Sequence, residues 1–329
     1  MPAYDPRGGG EVHVDQVLSN ISVDWINEQT TVADALFPTV SVAKQSDKYY
    51  IFGKEAWAPS MGGDVRAPGS KANEIPGVKV STDTYFCQEH ALQITVTPEE
   101  RQNADAPLDP DAKATELVTS KIMLGRELAA REIVTDTNNY LAGHVETLSG
   151  NDQFSDYANS SPMDVFRSAM RDFHTTLFTV PNVAIIPWRV MHWLEDHPEF
   201  RDRIKYTQAA TPSREIVASM LGVGRIVVPG GGYDKANPGQ DNDIGYLWGE
   251  DIILAYVPGS AGLRQPAFGY EFVWPVHGGP QYADTWFDMD RKADVIRVGR
   301  SYDLKLVAKD DDDKSLAGYL IKDAIDPDA

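Results

Sequence analysis

His192-Trp193-Leu194-Glu195-Asp196-His197 brings together two histidines and two acids, the residue types that hold zinc. A zinc helix needs its histidines four apart on one face, with a glutamate between them as base. Here they are five apart, about 140° round a helix, so they do not share a face. His90, His144, His174 and His277 show no ligand spacing. Pro229-Gly230-Gly231-Gly232-Tyr233-Asp234 follows a strand, as a phosphate loop would, because glycine N–H groups can cradle phosphate. The GK[ST] ending is missing and Asn237-Pro238-Gly239 prolongs the loop, which predicts a flexible surface connection. Gly259-Ser260-Ala261-Gly262 lacks the spacing of a nucleophile elbow. Asp241-Asn242-Asp243 and Asp288-Met289-Asp290 begin like calcium loops, but neither has glycine at the sixth position, and Lys292 takes a ligand place in the second. Cys87, the single cysteine, reads as a small apolar strand residue. No nucleophile, base and oxyanion donor come together. The expectation is a structural protein, not an enzyme, with no metal and no cofactor; a hydrolase with a cryptic acidic site is the reading from another class.

The elements carry more. From Val78 to Val96 one parity reads Val78, Val80, Thr82, Thr84, Phe86, Gln88, His90, Leu92, Ile94, Val96, the period of a strand with one apolar face. Unbroken, it would reach roughly 60 Å at about 3.3 Å per residue. Upstream, Lys48-Tyr49-Tyr50-Ile51-Phe52 is rich in β-formers. Between them Ala58 to Gly77 is punctuated by Pro59, Gly62, Gly63, Pro68, Gly69, Pro76 and Gly77. Residues 42–97 therefore predict two antiparallel arms joined by a long tip. An isolated hairpin is marginal in water, so another copy of the chain is expected to cover it. Trp57, Met61, Asp64, Arg66, Lys71 and Glu74 are the candidate inter-subunit contacts.

Asp109-Pro110-Asp111 has the capping residue, proline and acid of a helix start. Ala112 to Leu141 continues without proline, carrying a stripe of Val118, Ile122, Gly125, Ala129 and Ile133, with Gly143 or Gly150 to end it. Glu127, four before Arg131, reads as an exposed ion pair. Helices at 161–178, around 190–194 and at 211–221 alternate with strands at 182–186 and 225–228, which indicates an α/β lobe. A strand follows at 251–257. Beyond Phe268 the chain turns to β, at 270–274, 282–287, 294–298 and 302–307, with Asp310 to Lys314 a solvated turn before the last strand. The class is α+β.

The 329 residues, 42% hydrophobic and 10% aromatic, suffice for a large core. No apolar run reaches the roughly 18 residues of a membrane span, and Met1-Pro2-Ala3-Tyr4-Asp5 does not open a signal peptide. Against 49 acids stand 30 bases, a formal charge of −19 with no Lys/Arg cluster. That argues against gripping nucleic acid through its phosphates.

In this order, an N-terminal arm, a projecting hairpin, a long helix, an α/β lobe and a return to β, the chain resembles the major capsid proteins of tailed bacteriophages, with the Hong Kong-97-type capsid fold. Ala184-Ile185-Ile186-Pro187-Trp188-Arg189-Val190-Met191-His192-Trp193-Leu194 looks like the family's axial strand, proline and short helix. Gly249 to Tyr256 looks like a later strand, and Arg297 to Leu306 and Gly318 to Ile321 like closing peripheral strands. The resemblance implies an N-terminal arm at 1–41 and an extended β-hairpin loop at 42–97. It implies a peripheral domain of 98–160 and 269–329 containing a spine helix at 112–141, and an axial domain at 161–268. It also implies hexamers and pentamers closing an icosahedral shell around packaged double-stranded DNA in the virion, assembled in the host cytoplasm, with a portal at one vertex, a possible decoration protein and no membrane. Some relatives carry a scaffolding segment of about a hundred residues before the arm. Only some 40 precede the hairpin here, so a separate scaffolding protein is expected. Others join subunits by a Lys–Asn isopeptide bond; Lys71 could supply the lysine, but no asparagine follows Asn242. An encapsulin-like shell is the alternative.

Overall fold

The computed structural model describes residues 13–14, 32–52, 64–72, 74, 80–104, 109–204, 213–236, 239–262, 265–275 and 278–327. Along the chain come β1 (His13–Val14), α1 (Ala33–Leu36), β2 (Thr39–Ser41), β3 (Ser46–Phe52), β4 (Val80–Phe86), β5 (Gln88–Val96), α2 (Pro98–Asn103) and α3 (Pro110–Thr135). Next are β6 (Val145–Thr147), α4 (Pro162–Leu177), β7 (Val183–Ile185), α5 (Trp188–Asp196), α6 (Pro198–Ile204), α7 (Arg214–Leu221) and β8 (Arg225–Val227). The chain closes with β9 (Gly232–Asp234), β10 (Ile244–Tyr246), β11 (Ile252–Ala255), β12 (Gly269–Val273), β13 (Gln281–Asp288), β14 (Ala293–Leu306) and β15 (Gly318–Lys322).

One sheet is built on β14. Its first half lies between β13 and β5, both antiparallel, and Tyr302 to Leu306 pair with β12. On the outer edges β2 joins β12 in parallel and β1 joins β13. The expected strands 294–298 and 302–307 are thus one strand of 14 residues. Gly299, which reads as a break, instead makes room for a ring: a Cβ there would stand 2.5 Å from Tyr282 Cζ.

A second sheet, in the order β6-β15-β11-β7-β8, forms the α/β lobe. Its central strands Ile252–Ala255 and Val183–Ile185 are buried throughout, because helices such as α4 and α7 pack against the sheet. The closing strand Gly318 to Ile321 belongs here, between β6 and β11, and not with the peripheral strands as expected. A strand reading Gly-Tyr-Leu-Ile needs cover on both faces, which this position supplies. Pro229 to Asp234 also departs from the expected loop: Gly232–Asp234 pairs with Ile244–Tyr246, and the Asp234 carboxylate accepts from Ala236 N and Asp243 N to hold the connection.

The single long arm expected from 78 to 96 is two strands broken at Cys87. Val80–Phe86 pairs with β3 as a hairpin, whereas Gln88–Val96 pairs with β14 in the sheet. Cys87 is fully buried, its N–H bonded to Gln45 O and its thiol to Phe272 O. It marks where the chain leaves the body.

Helix α3 starts as expected, with Asp109 accepting from Asp111 N and Ala112 N ahead of Pro110. It ends earlier, at Thr135, where Asp136 caps a following 3-10 turn instead of continuing the helix. At about 1.5 Å per residue its 26 residues run some 39 Å. Its buried face is Ala114, Val118, Ile122, Arg126, Ala130 and Val134, not the expected continuation through Gly125, Ala129 and Ile133. A step of four residues drifts about 40° round the helix, so this stripe turns through roughly 200° along its length. The first half therefore meets the sheet, packing with Val96, Ala283, Ile296 and Val298. Ala130 and Val134 join the lobe's core. Short α2, unforeseen, is held by a capping box between Thr97 and Glu100.

Candidate assembly surface

The hairpin of β3 and β4 is fixed at its base and bare beyond it. Tyr85 and Tyr49 stack on Phe272, with ring centroids 4.8 and 5.1 Å away. The Tyr49 hydroxyl donates to Asp83, 2.9 Å away, and Lys309 Nζ reaches the same carboxylate at 3.3 Å. Partial burial pushes the Asp83 carboxyl up, but the Thr84 amide, Tyr49 and Lys309 outweigh it and hold it below its usual range. Burial raises the Tyr49 phenol, which stays protonated and donating. Phe86 N–H donates to Asp303 on β14. Aromatic packing at this junction is worth about 0.5–1.5 kcal/mol per pair beyond area burial, enough to set the angle at which the hairpin leaves.

Farther out, Tyr50, Val80 and Phe86 expose large apolar side chains, and Val65 on the tip is 86% exposed. Asp64, Arg66, Lys71 and Glu74 are exposed, and none makes a hydrogen bond or ion pair among the described residues. Trp57 and Met61 lie outside the described residues. At the hairpin's root a groove of about 290 Å³ is lined by Phe86, His90, Ile133, Tyr302 and Lys305. His90 stacks on Tyr302 at 4.5 Å, and burial pushes its pKa down. Apolar patches rimmed by polar groups mark interaction surfaces.

What anchors this surface is a buried charge centre that the sequence reading missed. Arg126, fully buried, donates from Nε to Glu271 Oε1 at 2.9 Å and from Nη2 to Glu271 Oε2 at 2.8 Å and Asp34 Oδ1 at 2.6 Å. Arg300 adds a second fork onto Glu271, and the Thr39 hydroxyl donates to it as well. Glu127 is not the exposed partner of Arg131 but 1% exposed, accepting from Val32 N and Ala33 N at the head of α1. Arg131 donates to the Tyr233 hydroxyl instead. Phe37 lies against Gly269, where a Cβ would stand 2.5 Å from its ring, so only glycine fits beneath it. Burying Leu36 and Phe37 contributes roughly 1.5–3 kcal/mol each. The strap 32–41 is thereby tied to the long helix and to both β12 and β14 just before the hairpin begins. A charge inside an apolar strand, Gly269-Tyr270-Glu271-Phe272-Val273, was the available signal, since buried charges must be paired.

Nothing catalytic gathers around this centre. Among the described residues no three His, Cys, Asp or Glu side chains sit together as a metal site. His192 is exposed and stacked on Trp188, whereas His197 is buried. Asp288 Oδ1 accepts from Asp290 N and Arg291 N in the turn between β13 and β14. Among the described residues no helix is long and apolar enough to cross a membrane.

The comparisons agree with this architecture. A phage-related protein from Bordetella bronchiseptica has the same fold, with a TM-score of 0.72 and 24% identity, covering 95% of this chain and 98% of that one. An encapsulin from Synechococcus elongatus shares the fold at a TM-score of 0.54 and 10% identity, over 89% and 86% of the two chains. No family model matches the chain. In sequence it is 27% identical over 314 residues to the major capsid protein of Burkholderia phage BcepMu, covering 94% of this chain and 95% of that protein. It is likewise 27% identical over 301 residues to the major capsid protein of Pseudomonas phage JBD67, with coverages of 90% and 94%. Fold and surface define a shell-forming subunit of the Hong Kong-97-type capsid class. Within that class, the chain is a phage major capsid protein.

Proposed function

We propose that this chain assembles as hexamers and pentamers into the icosahedral head of a tailed phage, enclosing double-stranded DNA. The observation that carries the reading is similarity to phage major capsid proteins over nearly the whole chain at 27% identity. The encapsulin shares the fold at 10%, so a cargo-enclosing compartment is the lesser reading. Its role is structural. Asp64, Arg66, Lys71 and Glu74, together with Trp57 and Met61, are the proposed contacts to the neighbouring subunit. Ring contacts of this kind join one face to a different face on the next copy, and many modest contacts act together. The domain division follows the sequence reading, except that β6 and β15 go with the axial lobe because they share its sheet. A separate scaffolding protein, a portal and a decoration protein are proposed partners, with assembly in the host cytoplasm. The net charge of −19 suits a wall that lets DNA slide without binding it. Negative-stain microscopy with mass measurement in solution tests the reading. Rings, sheets or shells are expected from the purified chain, and nuclease-protected double-stranded DNA in particles recovered from cells. A monomer at every concentration would overturn the assembly, and shells filled with an enzyme would favour the encapsulin reading.

A further inference from the structure

The charge centre is unbalanced. Three carboxyl groups, Asp34, Glu127 and Glu271, face two guanidinium groups, Arg126 and Arg300. Arg126 directs Nε and Nη2 to Glu271 and Asp34, and Arg300 directs its fork to Glu271. From the lobe, Arg225 Nη2 donates to Ala35 O of the arm. Asp34 is half in solvent, its side chain 52% exposed, and can stay ionised there. Glu127 is the carboxyl that no guanidinium contacts: its oxygens meet Val32 N at 3.2 Å and Ala33 N at 3.0 Å, both belonging to the arm. Arm docking is what buries it. Taking an ionised carboxylate out of water without a cation beside it is unfavourable. A protonated carboxyl still offers an oxygen to an arm N–H and avoids that penalty.

We propose that Glu127 is a proton-linked latch: residues 32–36 dock on the long helix with uptake of a proton at this carboxyl, and the latch loosens as pH rises to neutrality. Burial, partly offset by the Ala33 amide and Arg126, pushes the Glu127 carboxyl up to about 7 from its ordinary 4.5. The docked state therefore holds the proton more tightly than the undocked one. Docking is favoured below the ordinary value and loses that advantage as pH rises through about 7. Linkage over this window makes docking about tenfold weaker at pH 8 than at pH 6. The device is independent of what the chain assembles into, and it acts on the strap that leads into the hairpin.

Hydrogen–deuterium exchange of the full chain, followed on peptides covering residues 32–37 and corrected for intrinsic exchange, tests the latch. Protection of these amides should fall about tenfold from pH 6 to pH 8. Glu127→Gln keeps a carbonyl acceptor but cannot titrate, so its protection should be the same at both pH values. Asp34→Asn removes the excess negative charge from an exposed position and should shrink the pH effect. A wild-type ratio near one, or the same tenfold change in Glu127→Gln, overturns the latch. If Glu127→Gln does not fold, Asp34→Asn decides: a smaller ratio supports the latch, and an unchanged ratio overturns it.

Discussion

Arg126 occupies a position on the long helix where periodicity calls for an apolar side chain, and the reason is what surrounds it. Its guanidinium joins Asp34 of the arm, Glu271 of β12 and, through Glu271, Arg300 of β14. Removing one partner from such a buried set leaves the others uncompensated, which typically costs about 3–5 kcal/mol. Arg126→Met should therefore lower the stability of dissociated subunits by about 3 kcal/mol or more in urea unfolding followed by tryptophan fluorescence. Arg167→Ala is the contrast. Its pairing with Asp164 spans 3.7 Å between side chains more than half exposed, and such surface pairs contribute about 0–1 kcal/mol. If both substitutions had the same small effect, the centre would not be what holds the arm.

At the scale of elements, the hairpin's base and tip do different work. Tyr49, Asp83 and Tyr85 tie the base to Phe272 and Lys309, while described tip residues 64–72 and 74 are all exposed. Deleting residues 58–74 should leave a soluble subunit whose thermal midpoint stays close to wild type, since no base contact is lost, yet which forms no shells in the microscope. Normal shells from the deletion would remove the tip from assembly. Where a local signal decides the outcome, the sequence was readable: Asp109-Pro110 starts the long helix, and the apolar run Ile252–Ala255 is a buried strand. It was not readable where a distant partner decides. The period-2 pattern from 78 to 96 is equally good for one strand or two, and only the pairing of Gln88–Val96 with β14 breaks it at Cys87. Likewise Glu127 and Arg131 have the spacing of an exposed pair, and only the docked arm shows that Glu127 faces inward. The tip contacts had the weakest signal of all, because their partner is another molecule.

The whole molecule offers its neighbours non-covalent contacts and no evident means to lock them. Lys71 is exposed on the tip, but an isopeptide bond of the kind some relatives form needs an asparagine from the C-terminal strands, and none follows Asn242. With a formal charge of −19 on every copy, like charges also oppose assembly, so cohesion must come from buried apolar area and avidity. Such contacts are individually modest and fail together once each subunit unfolds. Assembled shells boiled in SDS should therefore run as a single band at the subunit mass of 36.3 kDa. A ladder of dimers, hexamers and higher multiples that survives boiling and reductant would show a covalent lock between copies. It would then have to be sought at an amide or carboxyl partner other than a C-terminal asparagine.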